Sequence, residues 1–146
     1  MGDELIKIAV ADDESIIREQ IRKFIEKREK NCRIDSYETG EALLAAETSY
    51  DIVFLDIQMD GLNGIDTAKL LREQSKDVVI IFITAMKEYV FEAFDVAAFH
   101  YILKPIREER FVTVYTRAAE EVMYHKKQEK KPLFIKTTQQ TFFNHS

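Results

Sequence analysis

The sequence predicts an α/β protein in which five parallel strands form one doubly wound sheet with helices on both faces. Short apolar runs alternate along the chain with five segments of helical pattern. These runs lack the apolar–polar alternation of a half-exposed strand. Strands that are apolar on both sides are covered on both sides, and repeated strand–helix units build a parallel sheet.

The strands are predicted from short runs of β-branched and other apolar residues. Residues 78–83 form the strongest of these runs, and residues 52–55 contain no polar side chain. Residues 6–11 are a third run, rich in β-branched side chains. Residues 33–37 and 101–103 give shorter and weaker candidates.

The helices are predicted from apolar side chains that recur at intervals of three and four. Ile17, Ile21, Phe24 and Ile25 make such a stripe in the first helical segment. Thr39 precedes the second segment, where its hydroxyl can cap the helix. The predicted helices cover residues 14–30, 40–47, 64–75, 88–96 and 107–127.

Length, composition and charge exclude several classes of protein. The chain has 146 residues, enough for one domain, and its 46% hydrophobic residues exclude a disordered chain. A single cysteine, Cys32, cannot close an internal disulfide, which favours a reducing compartment. There is no signal peptide or membrane-spanning run, so we expect a cytoplasmic protein without membrane contact. The net charge of −5 argues against unaided binding to nucleic acid.

Polar side chains directly follow four of the five predicted strands. Asp12 and Asp13 follow the first strand, Asp56 the third, Thr84 the fourth and Lys104 the fifth. Parallel α/β sheets carry their functional groups at the carboxyl ends of their strands. We therefore expect these five side chains to meet at one edge of the sheet.

Three neighbouring carboxylates cannot all stay ionised unless a cation joins them, because each raises the pKa of the others. Asp12, Asp13 and Asp56 with Lys104 leave a net charge of −2, which matches one divalent ion. Carboxylate oxygens suit Mg²⁺, which also binds phosphate oxygens. The cluster is therefore suited to phosphoryl transfer, with one carboxylate as nucleophile and the Thr84 hydroxyl as a donor to the phosphoryl group.

These residues resemble the receiver domain of bacterial two-component response regulators. The resemblance covers roughly residues 5–125, and it rests on the segments IAVADDE (8–14), DIVFLDIQMDGLNGID (51–66), IIFITA (80–85) and YILKP (101–105). It implies a flavodoxin-like strand order, 2-1-3-4-5. It also implies that Asp56 accepts a phosphoryl group from a sensor histidine kinase, so that the protein is a signalling switch rather than a dedicated enzyme.

The resemblance assigns a role to each residue of the predicted site. It implies that Asp13, Asp56 and the backbone carbonyl of Gln58 bind Mg²⁺ directly, while Asp12 acts mainly through water. Thr84 and Lys104 would then contact the phosphoryl group. Two further expectations are that Thr84 and Tyr101 form a switch, in which the tyrosine ring moves with the threonine, and that the Lys104–Pro105 peptide bond is cis.

Residues 84–106 narrow the resemblance to receivers attached to LytTR-type DNA-binding domains. This narrower resemblance implies a receiver over residues 1–125 and a charged linker over residues 126–132. Residues 133–146 would be the truncated start of an output domain, or a tail. DNA would then be bound only through the missing part of that output domain. Phosphorylation is expected to produce a homodimer through the last helix.

Three other classes of protein are alternatives to this interpretation. A haloacid-dehalogenase-type phosphatase needs a second acid two residues after the nucleophile, where this chain has Gln58. A dinucleotide-binding domain needs a glycine-rich loop after the first strand, and the segment ADDES has no glycine. A phosphorylation-independent receiver-like interaction module stays open, although the presence of all five strand-end residues argues against it.

Overall fold

The computed structural model describes residues 5–129, and these form a five-stranded parallel sheet. The strands are β1 (Ile6–Ala11), β2 (Cys32–Tyr37), β3 (Ile52–Leu55), β4 (Val79–Thr84) and β5 (His100–Leu103). Their order across the sheet is β2-β1-β3-β4-β5, and every neighbouring pair is parallel. The predicted fold class and strand order are both confirmed.

Five helices connect and follow the strands, as the apolar spacing predicts. They are α1 (Ser15–Glu26), α2 (Gly40–Ala45), α3 (Gly64–Gln74), α4 (Val90–Asp95) and α5 (Glu108–Glu129). Helix α1 is shorter than predicted, because the positions after Ile25 that would continue its apolar stripe are the charged residues Arg28 and Glu29. The cap at Thr39 is confirmed, since its hydroxyl accepts a hydrogen bond from the Ala42 amide at 3.1 Å.

The sheet separates two apolar cores, which explains why its central strands show no polar alternation. In β4, Ile81 and Ile83 pack on the side of α1 and α5, whereas Ile80 and Phe82 pack on the side of α2, α3 and α4. All six β4 residues are buried. Successive side chains of a strand point to opposite faces, so a strand covered on both faces is apolar on both, and Thr84 at the end of β4 is its one polar side chain.

Helix α5 extends beyond the predicted receiver boundary at residue 125. Residues 126–129, the first part of the predicted linker, continue the helix, and Lys126 Nζ lies 3.5 Å from Asp51 Oδ1 just before β3. The predicted output segment, residues 133–146, lies outside the described residues. Within residues 5–129, no helix combines the length and apolar character that a membrane span requires.

Candidate functional site

The strand register brings the predicted site residues to one edge of the sheet. Ala11 of β1 pairs with Leu55 of β3, so the residues that follow them, Asp12 and Asp56, stand side by side. Thr84 pairs with Leu103 in the same way, one residue before Lys104. One carboxylate oxygen from each of Asp12, Asp13 and Asp56 lies within 4.8 Å of the other two. The convergence predicted for these side chains is therefore present.

These side chains surround a cleft of about 500 Å³ at the carboxyl edge of the sheet. Three of the predicted metal-binding residues line it, together with the strand-end threonine and lysine. The full lining is Asp13, Glu14, Asp56, Gln58, Met59, Asp60, Thr84, Ala85 and Lys104. Asp12 and Asp56 are buried, while Asp13 is exposed. The site thus has two buried acids at its base, and the acids open to solvent at its rim are Asp13, Glu14 and Asp60.

Lys104 joins the acids into one network. Its Nζ lies 3.0 Å from Asp12 Oδ2, 3.0 Å from Asp56 Oδ2 and 3.2 Å from Glu14 Oε1. The lysine side chain is only 13% exposed, so solvent screens these ion pairs less than it would screen pairs on the surface. The ammonium therefore partly neutralises the carboxylates that surround it.

The Asp56 carboxylate is held in one orientation by the backbone as well as by the lysine. Its Oδ1 accepts hydrogen bonds from the Ile57 amide at 2.7 Å and from the Gln58 amide at 3.4 Å. Its Oδ2 accepts from Lys104. Both oxygens are thus fixed at the point where β3 ends and the chain turns toward α3.

Burial has opposite consequences for the two charges that face Asp56. It raises the pKa of Asp12 to about 6, and the neighbouring Asp56 adds to this increase against the lowering effect of Glu14 and Lys104. Burial alone would lower the pKa of Lys104, but its hydrogen bonds to Asp56 and Asp12 outweigh that effect, so the pKa is raised. The lysine therefore stays charged, while ionisation of Asp12 is costly until a cation joins the site.

Thr84 and Tyr101 both bind the backbone of Met86, in the segment that leads into α4. The fully buried Thr84 hydroxyl accepts a hydrogen bond from the Met86 amide at 3.2 Å. The Tyr101 hydroxyl donates to the Met86 carbonyl, and its ring packs against Phe82 with the centroids 6.0 Å apart. The two predicted switch residues thus meet at one residue. The Lys104–Pro105 bond next to them is cis, as predicted.

Sequence reasoning missed two residues that shape the site. Glu14 directly follows the acid pair, but its place at the start of a predicted helix gave no sign that it would reach Lys104. Gly64 packs its α-carbon against the backbone of residues 56 and 57, and its amide donates to the Ile57 carbonyl at 2.8 Å. The only signal for Gly64 was a glycine at the first position of a helix.

The donor set fits a magnesium ion. Three carboxylates offer oxygen ligands within one small volume, and the exposed Asp13 leaves room for the waters that Mg²⁺ usually retains. Burial raises the pKa of Asp12, and the neighbouring Asp56 carboxylate adds to the increase although Lys104 opposes it. A divalent cation would compensate the charge of these carboxylates.

Comparison with known proteins agrees with this geometry. The family described as response regulator receiver domain matches residues 8–116. The chain belongs to this family. Receiver domains are phosphorylation-dependent switches of two-component systems, and they bind Mg²⁺ at an acidic pocket, which corresponds here to the cluster of Asp12, Asp13 and Asp56.

The similar proteins include one sensory transduction protein and two response regulators with solved structures. The sensory transduction protein LytT of Oceanobacillus iheyensis is 39% identical over 116 residues, which cover 77% of this chain and 47% of LytT. The receiver domain of AraT from Geobacillus stearothermophilus has a TM-score of 0.74 at 32% identity, and the match covers 87% of this chain and 100% of the AraT chain. TrrA of Thermotoga maritima, solved with Mg²⁺ and a beryllium fluoride, has a TM-score of 0.70 at 30% identity, covering 78% and 99% of the two chains.

The relation to LytT confirms the resemblance to receivers of LytTR-type regulators. The chain spans about half the length of the LytT proteins that it matches.

Proposed function

We propose that this receiver accepts a phosphoryl group on Asp56 from a sensor histidine kinase. The observation that carries the proposal is the buried Asp56 carboxylate, held by Lys104 at 3.0 Å and by two backbone amides at the base of an acidic cleft. A carboxylate oxygen would attack phosphorus as the bond from phosphorus to the kinase histidine breaks, leaving an acyl phosphate on the receiver and a neutral histidine on the kinase.

The proposed metal ligands are Asp13, Asp56 and the backbone carbonyl of Gln58, with Asp12 acting mainly through water. When bound, Mg²⁺ would neutralise charge that develops on the phosphoryl oxygens. Asp13 and Gln58 line the cleft beside Asp56, which supports these assignments. Asp12, buried and bonded to both Lys104 and the Glu14 amide, would keep the lysine and the strand end in position.

Lys104 and Thr84 are the proposed ligands of the phosphoryl group. The lysine already lies within hydrogen-bond distance of Asp56, so its ammonium can follow the negative charge from the carboxylate to the phosphoryl oxygens. The Thr84 hydroxyl would donate to a phosphoryl oxygen. Because Thr84 and Tyr101 both bind Met86, a movement of the threonine would reach the tyrosine and the start of α4.

Incubation with acetyl phosphate and Mg²⁺ tests the proposed phosphoryl transfer, with intact-mass measurement as the readout. We expect a single phosphoryl adduct, and we expect its formation to stop when EDTA removes the metal. Absence of any adduct in the presence of Mg²⁺ would contradict the proposal. It would instead favour the alternative in which the domain is a phosphorylation-independent interaction module.

Replacing Asp13 by alanine should weaken Mg²⁺ binding at least about tenfold, because it removes one of the proposed carboxylate ligands. Isothermal titration calorimetry of the metal alone measures the effect. The matched control is Asp60→Ala, an exposed acid that lines the same cleft, which should change the affinity less than about twofold. Equal Mg²⁺ affinity in Asp13→Ala and the unmodified protein would rule out Asp13 as a ligand.

The cellular location and the other partners follow from the same proposal. The receiver would act in the cytoplasm, without membrane contact. It would be followed by a linker and a LytTR-type output domain, and it would bind DNA only through that domain.

The phosphorylated form of the receiver would be a homodimer that uses the last helix, α5. Exposed apolar side chains on that helix, Met123 and Tyr124, support this role because association would remove them from water.

Sedimentation velocity tests the proposed dimer. With Mg²⁺ and beryllium fluoride, we expect the protein to sediment as a dimer, and we expect Met123→Glu to weaken the dimer at least about tenfold, because a charge would be buried at the interface. Glu120→Gln, on the same helix, is the control and should have little effect. A sample that stays monomeric after confirmed binding of the phosphoryl analogue would overturn the dimer proposal.

A further inference from the structure

Arg72, in the last turn of α3, binds the backbone of two separate segments of the chain. Its Nη1 donates to the Lys76 and Val78 carbonyls at 3.0 and 2.7 Å, in the segment that leads into β4. Its Nε and Nη2 donate to the Val96 and Ala97 carbonyls, each at 3.1 Å, where α4 ends. One side chain thus ties the C-terminal end of α4 to α3 and to the start of β4.

These four hydrogen bonds form a rigid connection. The guanidinium is planar, and its donors point in fixed directions, so four acceptors from two segments must keep their relative positions to satisfy it. Bonds from a charged donor are also stronger than bonds between neutral groups. Lysine could not replace this arrangement, because a single ammonium presents its donors from one point.

The chain at the end of α4 is shaped to present its carbonyls to Arg72. Ala97 has a φ of 57°, in the left-handed region that a residue with a side chain rarely adopts. The turn is closed by hydrogen bonds from the Ala97 amide to the Phe94 carbonyl at 2.9 Å and from the Ala98 amide to the Ala93 carbonyl at 3.1 Å. A strained turn persists only when its surroundings hold it, and Arg72 is part of those surroundings.

The other end of α4 is held differently. The segment before it is tied at Met86, by the Thr84 hydroxyl on the amide and by the Tyr101 hydroxyl on the carbonyl. Both hydroxyls belong to the proposed switch. Turning the Thr84 hydroxyl toward a phosphoryl group on Asp56 would change its bond to Met86, whereas nothing in that step touches the bonds of Arg72.

We propose that Arg72 is a positioning residue that makes α4 a lever with a fixed C-terminal end and a movable N-terminal end. This inference rests on the proposed phosphorylation of Asp56. When the bonds to Met86 change, α4 turns about its anchored end at Val96 and Ala97, and the turn between α4 and β5 keeps its shape. Arg72 therefore determines which end of the helix responds to the phosphoryl group.

The lever moves its two exposed aromatic side chains by different amounts. Phe91 and Phe94 are 83% and 82% exposed. At about 1.5 Å of rise per residue, Phe91 lies about 7.5 Å along the axis from Val96, and Phe94 only about 3 Å. Rotation about the anchored end displaces Phe91 more, so the part of α4 nearest the phosphorylation site carries the larger surface change.

Hydrogen exchange measured by mass spectrometry tests the lever on the whole chain, with Mg²⁺ and beryllium fluoride as the phosphoryl analogue. In the unmodified protein, we expect the analogue to change exchange in residues 85–89 at least about fivefold and in residues 93–98 less than about twofold. An equal response in the two segments would overturn the inference without any variant.

Arg72→Gln and Arg72→Lys test the anchor itself. In both variants we expect residues 93–98 to exchange at least about tenfold faster than in the unmodified protein. These residues should then respond to the analogue as residues 85–89 do. Residues 6–11 of β1 should keep their protection. Lys69→Gln removes a charge from the exposed face of α3 and is the control, with an unchanged pattern. A variant that loses protection equally throughout the domain, or keeps the original asymmetry, would show that Arg72 has no such role.

Labelling with acetyl phosphate separates failure of the lever from failure of the proposed function. Arg72 lies outside the cleft, so we expect its variants to take up the phosphoryl group within about twofold of the original rate. If the unmodified protein takes up none, the proposed function is wrong. If it is labelled but the exchange response is not asymmetric, only the lever is wrong.

Discussion

Asp56→Asn is expected to abolish phosphoryl uptake from acetyl phosphate, reducing the labelling rate at least about a thousandfold. The amide is a poor nucleophile toward phosphorus and cannot form the acyl phosphate. Its oxygen can still accept the Ile57 amide hydrogen bond, and Lys104 keeps its contact with Asp12 at 3.0 Å. The variant should therefore fold normally and lose only the chemical step, as intact-mass measurement over time would show.

The control for this substitution is Asp60→Asn, which removes an exposed carboxylate from the same cleft. It should be labelled at close to the original rate, because Asp60 is not held by Lys104 or by the backbone amides that orient Asp56. An adduct that persists in Asp56→Asn would refute Asp56 as the acceptor. Peptide mapping of that adduct would then identify the residue that carries the phosphoryl group.

Gly64→Ala is expected to destabilise the protein by about 3 kcal/mol or more and to slow phosphoryl uptake as well. A β-carbon at this position would lie 2.1 Å from the Asp56 carbonyl oxygen and 2.7 Å from the Ile57 α-carbon. Both are backbone atoms, so no side-chain rotation relieves the overlap. Either α3 must move away from the sheet or the turn after β3 must shift, and Asp56 shifts with it.

Urea unfolding measures the loss of stability in Gly64→Ala, and acetyl phosphate labelling measures the loss of uptake. Gly61→Ala is the matched control, because a β-carbon there meets only the flexible Glu41 carboxylate, at 2.5 Å, although the residue's φ of 77° adds strain. It should cost about 1 kcal/mol and leave uptake nearly unchanged. Equal stability of Gly64→Ala and the unmodified protein would show that the contact between α3 and the β3 turn is not tight.

The site residues that could be predicted are those that follow a strand directly. Asp12, Asp56 and Lys104 each come after an apolar run, and the rule that parallel strands end at one edge was enough to bring them together. Glu14 and Gly64 gave no comparable signal. Their importance depends on how α1 and α3 pack against the strand ends. The local sequence pattern does not indicate this packing.

Metal and phosphoryl roles could be proposed from the sequence because charge is additive: three acids and one lysine call for a cation wherever they meet. The pKa of each group could not be predicted from the sequence. The pKa of Asp12 is raised to about 6 mainly because the folded chain removes water from around it, and burial of a strand-end side chain depends on the loops that cover it.

The strand–helix order, the covering of the sheet on both faces and the edge that carries the polar site can all be predicted from the amino-acid sequence, because hydrophobic periodicity depends on a few neighbouring residues. The contacts of Thr84 and Tyr101 with Met86, and those of Arg72 with the C-terminal end of α4, become visible only in the folded protein. Such contacts depend on directed hydrogen bonds between distant segments. Their geometry exists only once the helices have packed on the sheet.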